Sequence, residues 1–404
     1  MPASTPRRLT FEVLLLLWVA FALNYSNRQT VFSIYPALSR DPGMSRALFA
    51  LAGSIFTWTY SLTMPFAGAL ADRTGRRWII IASVALWSFA TLGAAASHSP
   101  AQFVTWRAIT GITEALYYPA AVGWIAILVA ERMRSRALAL HSTAQFAGIA
   151  AGGWYGGWIA DRFGWRSGFE LIAAAGIVYS MLLAVLFRRL PDPKSSRQAS
   201  SRDELLVFRS KVFLVLLAAF FCFCLLLWIV YAWLATFLYE HFHLSMAASG
   251  VASTGFLQAS AAVGVLLGGF FGDWASHRFP AGRLRIGALG LFGSAPCGWL
   301  VFAAHTIALV EFAEIGFGLF SGLFVANIFA AAFDAVAESR YSFAAGVLNT
   351  AGGLAGGAGI LLGGLFGRAG LLPVVAASAF AVAVMAFVML APNWGASSQP
   401  AGAS

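Results

Sequence analysis

Twelve runs of about twenty or more mostly apolar residues follow one another along this 404-residue chain. Their approximate limits are 11–37, 47–71, 77–97, 101–130, 136–160, 166–188, 212–239, 246–272, 284–304, 307–334, 343–367 and 370–392. A bilayer core is crossed by about twenty helical residues, and in lipid each crossing has to satisfy its own backbone hydrogen bonds. The runs therefore predict an all-α polytopic membrane protein with 12 transmembrane helices. Only 10% of the residues are charged and 60% are hydrophobic, against roughly 25% charged in ordinary soluble domains, which excludes a soluble globular fold.

The net charge of +10 is carried in short loops rather than on a binding face, so no nucleic-acid partner is expected. With the N-terminus inside, 19 of the 26 basic residues fall in inner segments and Arg40, Arg46, Arg162, Arg166 and Arg368 in outer ones, while Arg28 and Arg107 remain within spans. That bias places both termini in the cytoplasm, with a bacterial inner membrane as the expected setting. The first ten residues carry Arg7 and Arg8 and no small-residue cleavage site, which argues against a removable signal peptide. Cys222, Cys224 and Cys297 lie inside apolar runs, an odd count that fits neither a disulfide framework nor a zinc site.

One connection is long and rich in Arg, Ser and Pro. It divides the chain into a first six-helix bundle over 1–190, a cytoplasmic linker over 191–211 and a second six-helix bundle over 212–392, followed by a disordered tail over 393–404. The halves repeat. GALADRTGRR at 68–77 and GFFGDWASHR at 269–278 both begin Gly-x-x-x-Asp and end in Arg, 201 residues apart, and Val-Ala-Glu recurs at 129–131 and 336–338, 207 apart. In the helices that follow, Gly152 meets Gly359 and Gly156-Gly157 meets Gly363-Gly364 in that second register. Two homologous bundles follow from this. The matching spans 5 and 11 are rich in glycine, which lets backbones approach closely and either pack statically or slide.

GALADRTGRR resembles the loop signature of the major facilitator superfamily, with a weaker copy at GFFGDWASHR. The resemblance covers essentially residues 11–392 and implies two pseudo-symmetric bundles that expose a central site to each side in turn by alternating access. It also implies a cytoplasmic conformational latch formed by Gly68, Asp72, Arg73, Gly75, Arg76 and Arg77, although the arginines also serve topology.

A narrower similarity joins Asn24-Tyr25-Ser26-Asn27-Arg28 in span 1 and Arg107 through Glu114-Ala in span 4 to the Asn-Tyr-x-Asp-Arg and Arg-x6-Glu-Ala signatures of the anion:cation symporter family. WLATFLY at 233–239 is similar to that family's segment at the end of span 7. Spinster lipid transporters share the first two signatures. The family's proton-coupling aspartate is Asn27 here, and an amide does not take up and release a proton near neutral pH. Either Glu114 carries the proton alone, another acid has taken over, or the protein is a uniporter or exchanger.

Charges inside a membrane mark function by default, because burial away from protein or water is expensive. Arg28 lies about nine residues from the outer end of span 1, or about 14 Å deep, and Asn24 shares its face. Five donors in a rigid fork match a carboxylate, so Arg28 is the expected substrate-anion ligand. Glu114, two turns beyond Arg107 on one face with Gly111 between, is the expected proton or charge-compensating site. Burial favours its protonated form and a facing arginine its ionised form. A permanent Arg28–Glu114 or Arg107–Glu114 ion pair holding spans 1 and 4 together is the alternative.

Further expected substrate contacts are Tyr60, Gln145 and Asn349, similar in place to a span 2 tyrosine, a span 5 glutamine and a span 11 asparagine of the symporters. Tyr118 is a further candidate, while Tyr117 and Tyr118 both also suit packing. Tyr60, Tyr117, Gln145, Gln258 and Asn327 are further polar residues in mid-span, and Trp228 and Tyr231 are weaker candidates. Glu311 and Glu314, one turn apart in span 10, either replace the missing aspartate or are wet at a helix start. His241 and His243 read as solvated rather than metal-binding. No phosphate loop, Gly-x-Ser-x-Gly or His-Glu-x-x-His occurs, so no enzymatic activity, cofactor or metal is expected.

The resulting expectation is a secondary transporter, working as a monomer among membrane lipids, that moves a small organic anion such as a carboxylate or sugar acid with protons. The rivals are a spinster-like exporter of an amphipathic lipid or drug and a non-transporting metabolite sensor.

Overall fold

The computed structural model describes residues 7–129, 131–188, 190, 204–337 and 340–391, with side chains except at 7–10, 69, 72, 131, 132, 134, 135, 204, 342, 368 and 369. Residues 191–203 of the expected linker and the whole expected tail lie outside the described residues. The helices are α1 (Arg7–Ser33), α2 (Tyr35–Leu38), α3 (Arg46–Thr74), α4 (Arg76–Ala95), α5 (Pro100–Ala115), α6 (Tyr117–Leu128), α7 (Glu131–Phe163), α8 (Trp165–Phe187), α9 (Lys211–Phe242), α10 (Met246–Arg278), α11 (Gly282–Ala303), α12 (Ile307–Asp334), α13 (Tyr341–Leu365) and α14 (Gly367–Leu390), with a 3-10 turn at Glu204–Arg209.

Each apolar run is helical. Among the described residues ten spans, formed by α3, α4, α5 with α6, and α8 through α14, are long and apolar enough to cross a membrane. The first and fifth runs are helices of 27 and 33 residues. Their polar residues, among them Asn24, Asn27, Arg28 and Gln29 in α1, keep their hydropathy lower. Large apolar side chains such as Leu266 (75% exposed), Phe66 and Phe380 face outward, as expected where lipid rather than water is the solvent.

Helix ends follow local chemistry. Ser45, Ser99 and Thr306 cap α3, α5 and α12 by accepting from the amides of Leu48, Gln102 and Leu309. Gly75 separates α3 from α4 at φ +106, a conformation that other residues avoid. The fourth span is interrupted at Leu116, where Pro119 has no N–H to offer the Ala115 carbonyl. That interruption falls directly after Glu114.

Two compact units are formed, one of Met1–Arg197 with Leu238–Thr254 and the other of Gln198–Phe237 with Gly255–Ser404. In the first, Phe21, Trp87, Tyr117, Trp124 and Phe187 build a continuous apolar core. The Asp161 carboxylate accepts from the amides of Met246 and Ala247 at 3.2 and 2.8 Å, filling donors that the start of α10 leaves open. Arg46 pairs with Glu240 at 3.3 Å.

The sequence repeat is realised in the packing of each unit. A methyl group on Gly111 of α5 would strike the Phe56 carbonyl and the Thr59 hydroxyl of α3, and one on Gly318 of α12 would strike the Leu257 carbonyl and the Ser260 hydroxyl of α10. The two glycines are 207 apart, and Phe56–Leu257 and Thr59–Ser260 are each 201 apart. These are the registers of the Val-Ala-Glu and Gly-x-x-x-Asp repeats. Gly152 against Ser26 and Gly359 against Leu225 are likewise tight backbone contacts. Small residues at these points let helix axes approach where apolar attraction between helices is weak.

Candidate functional site

Helix periodicity sorts the residues of α1 onto two faces. Ala22, Ser26 and Thr30 lie on one face, which packs on the α7 glycines. Gly148 abuts Ala22, Gly152 abuts Ser26 and Gly156 abuts Thr30, and the Ser26 hydroxyl donates to the Gly148 carbonyl at 3.0 Å. Asn24, Asn27 and Arg28 fall on the other face and are buried in the first unit. On α5, Arg107, Gly111 and Glu114 share a face by the same rule. Because Gly111 admits α3 so closely, α3 brings Phe56 and Tyr60 against the charges on either side of it.

Glu114 is fully buried, and both of its oxygens are engaged. Arg28 Nε donates to Oε2 at 2.7 Å, and Asn27 Nδ2 donates to Oε1 at 2.9 Å. Asn27 Oδ1 in turn lies 3.3 Å from the Thr91 hydroxyl of α4, whose one proton also goes to the Trp87 carbonyl at 2.8 Å. The residue that stands where the symporters have an acid thus acts as a donor to the remaining acid.

The Arg28 guanidinium lies over the rings of Tyr60, Tyr25 and Phe56, at 4.0, 4.7 and 5.3 Å from their centroids. Its Nη2 has no hydrogen-bond partner among the described residues. Arg107 is buried over Phe56 at 4.3 Å, with Nε and Nη2 likewise unpartnered among the described residues. Of the two ion pairs expected from sequence, Arg28–Glu114 forms. Two guanidiniums and one carboxylate leave an excess positive charge in a buried cluster, held by aromatic faces and open donor atoms. Asn24, one turn from Arg28, adds an amide whose oxygen and nitrogen are both unpartnered among the described residues.

Other expected contacts divide. Tyr117 is a packing residue, its hydroxyl donating to the Leu17 carbonyl at 2.6 Å beside His141 Nε2. Tyr118 stacks on Phe21 at 5.4 Å and is half-buried. Gln145 is half-buried on α7, one turn before Gly148. Asn349 belongs to the second unit and donates back to the Ala345 carbonyl of its own helix at 3.0 Å. Thr91, Phe56 and His141 escaped sequence reasoning. A histidine in the middle of a long apolar helix was the only available signal for His141, and nothing in the local sequence marks Phe56 or Thr91.

In the expected latch, the side chain of Asp72 lies outside the described residues. Gly68 lies against Pro119, Gly75 makes the turn, Arg73 is exposed and Arg76 is buried against Gly123. Arg77 donates to the Phe187, Arg188 and Leu190 carbonyls at 3.3, 3.1 and 2.9 Å, closing the end of α8. In the second unit Asp273 and Asp334 both accept from Arg283, at 2.9 and 3.1 Å.

Glu314 corrects the reading of Glu311 and Glu314 as wet at a helix start. Helix α12 begins at Ile307, and Glu314 is completely buried while Glu311 is half-buried. The helix starts as early as its apolar run, so the second carboxyl is carried inside.

A family model described as the Major Facilitator Superfamily matches residues 17–360. The protein spinster of Drosophila melanogaster is 26% identical over 307 residues, 73% of this chain and 51% of the relative. The voltage-gated purine nucleotide uniporter SLC17A9 of Rattus norvegicus is 29% identical over 381 residues, 86% and 81% of the two chains. A D-galactonate transporter of Escherichia coli is 26% identical over 298 residues, 67% and 69%. The chain thus spans about half the length of the spinster relative. Among solved structures, a bacterial homolog to the human lysosomal transporter spinster, in an inward-facing and unoccupied conformation, superposes with a TM-score of 0.85 at 19% identity, covering 99% of this chain and 100% of that one. The repeated packing at Gly111 and Gly318, that shared fold and the matched family model lead to one conclusion: the chain belongs to the major facilitator superfamily.

Proposed function

We propose that the protein is a secondary transporter that carries a small organic anion, a carboxylate or sugar acid, across the membrane by alternating access with proton coupling. The observation that carries this reading is the buried cluster of Arg28, Arg107 and Glu114, which holds two cations against one anion and keeps guanidinium donors open. A carboxylate at Arg28 completes the fork that Glu114 occupies on one side only. Glu114 then acts as an internal competitor. A proton on Glu114 frees Arg28 for substrate, and release of that proton drives the substrate off, which couples the two fluxes.

In this reading Asn24, Tyr60 and Tyr118 line the anion's position, Gln145 contributes at its margin, and Arg107 supplies the long-range positive field. Gly68, Asp72, Arg73, Gly75, Arg76 and Arg77 serve as the conformational latch, with Arg77 anchoring it to α8. The D-galactonate transporter among the relatives names a sugar acid as its own substrate, which supports the substrate class.

The test is thermal stabilisation of detergent-purified protein by a panel of carboxylates, sugar acids and lysolipids, with Arg28→Ala measured alongside. Ligands that bind only the folded state raise its melting temperature. Stabilisation by carboxylates in the parent and its loss in Arg28→Ala is the expected result. Stabilisation by lysolipids alone, undiminished in Arg28→Ala, would overturn the anion reading in favour of an amphipath exporter.

A further inference from the structure

Glu314 lies seven residues into α12, about 10 Å along the helix from its start. It is completely buried, and neither carboxylate oxygen has a hydrogen-bond partner among the described residues. The contrast with Glu114, whose two oxygens are both occupied, is sharp. The two positions are also related through the repeat. The Gly111–Gly318 correspondence places Glu314 at the equivalent of Arg107 and Ser321 at the equivalent of Glu114, so the second unit carries an acid where the first carries a cation.

Among the described residues no cation pairs with it. The sequence has no Lys or Arg from 212 to 277 or from 286 to 339, and the side chain of Arg368, at the turn that joins α13 and α14, lies outside the described residues. The titratable groups around it are few. Glu311 stands one turn earlier on α12, and His305 is exposed at the turn between α11 and α12. The part of α9 in this unit, residues 211–237, carries Lys211 at its first position and then Cys222, Cys224 and Tyr231, and α11 offers Cys297, whose sulfur lies near Gly316. The α10 stretch beside Gly318, residues 255–264, has no titratable residue, and neither do residues 343–365 of α13 or 370–390 of α14.

A carboxylate without hydrogen bonds or a facing cation is not stable as a bare ion in a membrane interior, so the group has to be compensated by a bound cation. A metal cation requires several converging oxygens. Of the helix neighbours of Glu314, Val310, Ala313, Phe317 and Gly318 supply no side-chain oxygen, and Glu311, half-buried one turn nearer the helix start, supplies a single further carboxylate, short of the several ligands a metal needs. A proton needs only the carboxylate itself.

We infer that Glu314 is a proton-binding site of the second unit, loaded independently of the Arg28–Glu114 pair. The site stands on its own geometry, and only its use in coupling rests on the transporter reading. In coupling it adds to Glu114 a second acid, on the opposite half of the chain.

The test is infrared difference spectroscopy of the purified full-length protein between acidic and alkaline buffer, in water and deuterium oxide. A protonated carboxyl in apolar surroundings gives a carbonyl stretch that shifts on deuteration. The parent and Glu114→Gln are expected to show one such band that Glu314→Gln lacks, and Glu314→Asp is expected to show it displaced. Should Glu314→Gln fail to elute and melt like the parent, the displacement in Glu314→Asp decides the matter. Carboxylate-induced thermal stabilisation is expected to survive in Glu314→Gln, whereas accumulation driven by a pH gradient in liposomes is expected to fall about tenfold or more. A Glu314→Gln spectrum identical to the parent's, or an undisplaced band in Glu314→Asp, overturns the assignment. So does a band that sodium ions remove where potassium does not, which would make the site a sodium site. Loss of carboxylate binding in both the parent and Glu314→Gln would instead count against the anion reading and leave the proton site standing.

Discussion

Arg28 and Glu114 meet through Nε and Oε2 at 2.7 Å, with Arg28 Nη2 left unpartnered among the described residues. A fully bidentate fork would have taken a second of the five guanidinium donors. This one-sided pair holds α1 against α5 and still leaves donor capacity for an incoming anion.

Replacing the inner acid separates its two roles. In Glu114→Gln the competitor loses its charge while Asn27 and Arg28 stay in place, so carboxylate affinity is expected to rise on the order of tenfold, the worth of a charge-assisted hydrogen bond. Removing one partner of a buried pair also leaves the other charge uncompensated, at a cost of about 3–5 kcal/mol. The unliganded variant should therefore melt lower than the parent and show a larger ligand-induced rise. Liposome assays should show exchange retained and pH-driven accumulation reduced. Undiminished accumulation that still follows the pH gradient would exclude Glu114 from coupling.

Restoring the acid at position 27 tests what the amide contributes. Asn27 donates to Glu114 at 2.9 Å, and Asn27→Asp turns that donor into a second carboxylate within hydrogen-bond reach of the first. Two carboxylates so placed repel each other unless they share a proton. Carboxylate binding in this variant is expected to weaken more steeply than in the parent as pH rises, with recovery at acidic pH. Thermal-shift titrations across a pH series would reveal the steeper slope, and a profile superimposable on the parent's would show that the amide's donor role is immaterial.

The repeat makes a paired prediction about packing. Gly111→Ala and Gly318→Ala each place a methyl against a carbonyl and a hydroxyl of the facing helix, an overpacking expected to cost about 1–3 kcal/mol. Their effects on function should differ. Gly111 sits between Arg107 and Glu114, so its substitution should also weaken carboxylate binding, whereas Gly318→Ala should lower the melting temperature and leave carboxylate binding intact. Equal loss of binding in both would show that the contact acts only through stability.

Much of this was legible beforehand. The length and hydrophobicity of the runs predicted the long helices, though not the short α2 or the break between α5 and α6, since a span in lipid has no backbone partner other than itself. The 201 and 207 separations, read from Gly-x-x-x-Asp and Val-Ala-Glu, reappear as matched contacts at Gly111 and Gly318. Asn24, Arg28, Arg107 and Glu114 stood out because polar groups inside apolar runs are expensive. Less visible was Arg77, read as part of a latch and found closing the end of α8 through three carbonyls. A basic residue in a loop has the same sequence appearance whether it meets water or a helix end.

Sequence alone determined that the chain would be helical, membrane-spanning and twofold repeated, because these properties follow from local periodicity, apolar length and internal likeness. Only the tertiary structure decided which charges meet. Glu114 divides its oxygens between Arg28 and Asn27, residues 86 and 87 positions away, while Arg107 on its own helix turns to Phe56. That choice was made by the close approach of α3 at Gly111 and of α1 to the glycines of α7, which sets the side chains of separate helices at one depth. Nor could sequence say that Glu314 is buried with no partner among the described residues while Glu114 is buried paired. Both are acids in apolar helices, and the difference lies wholly in what the neighbouring helices bring to them.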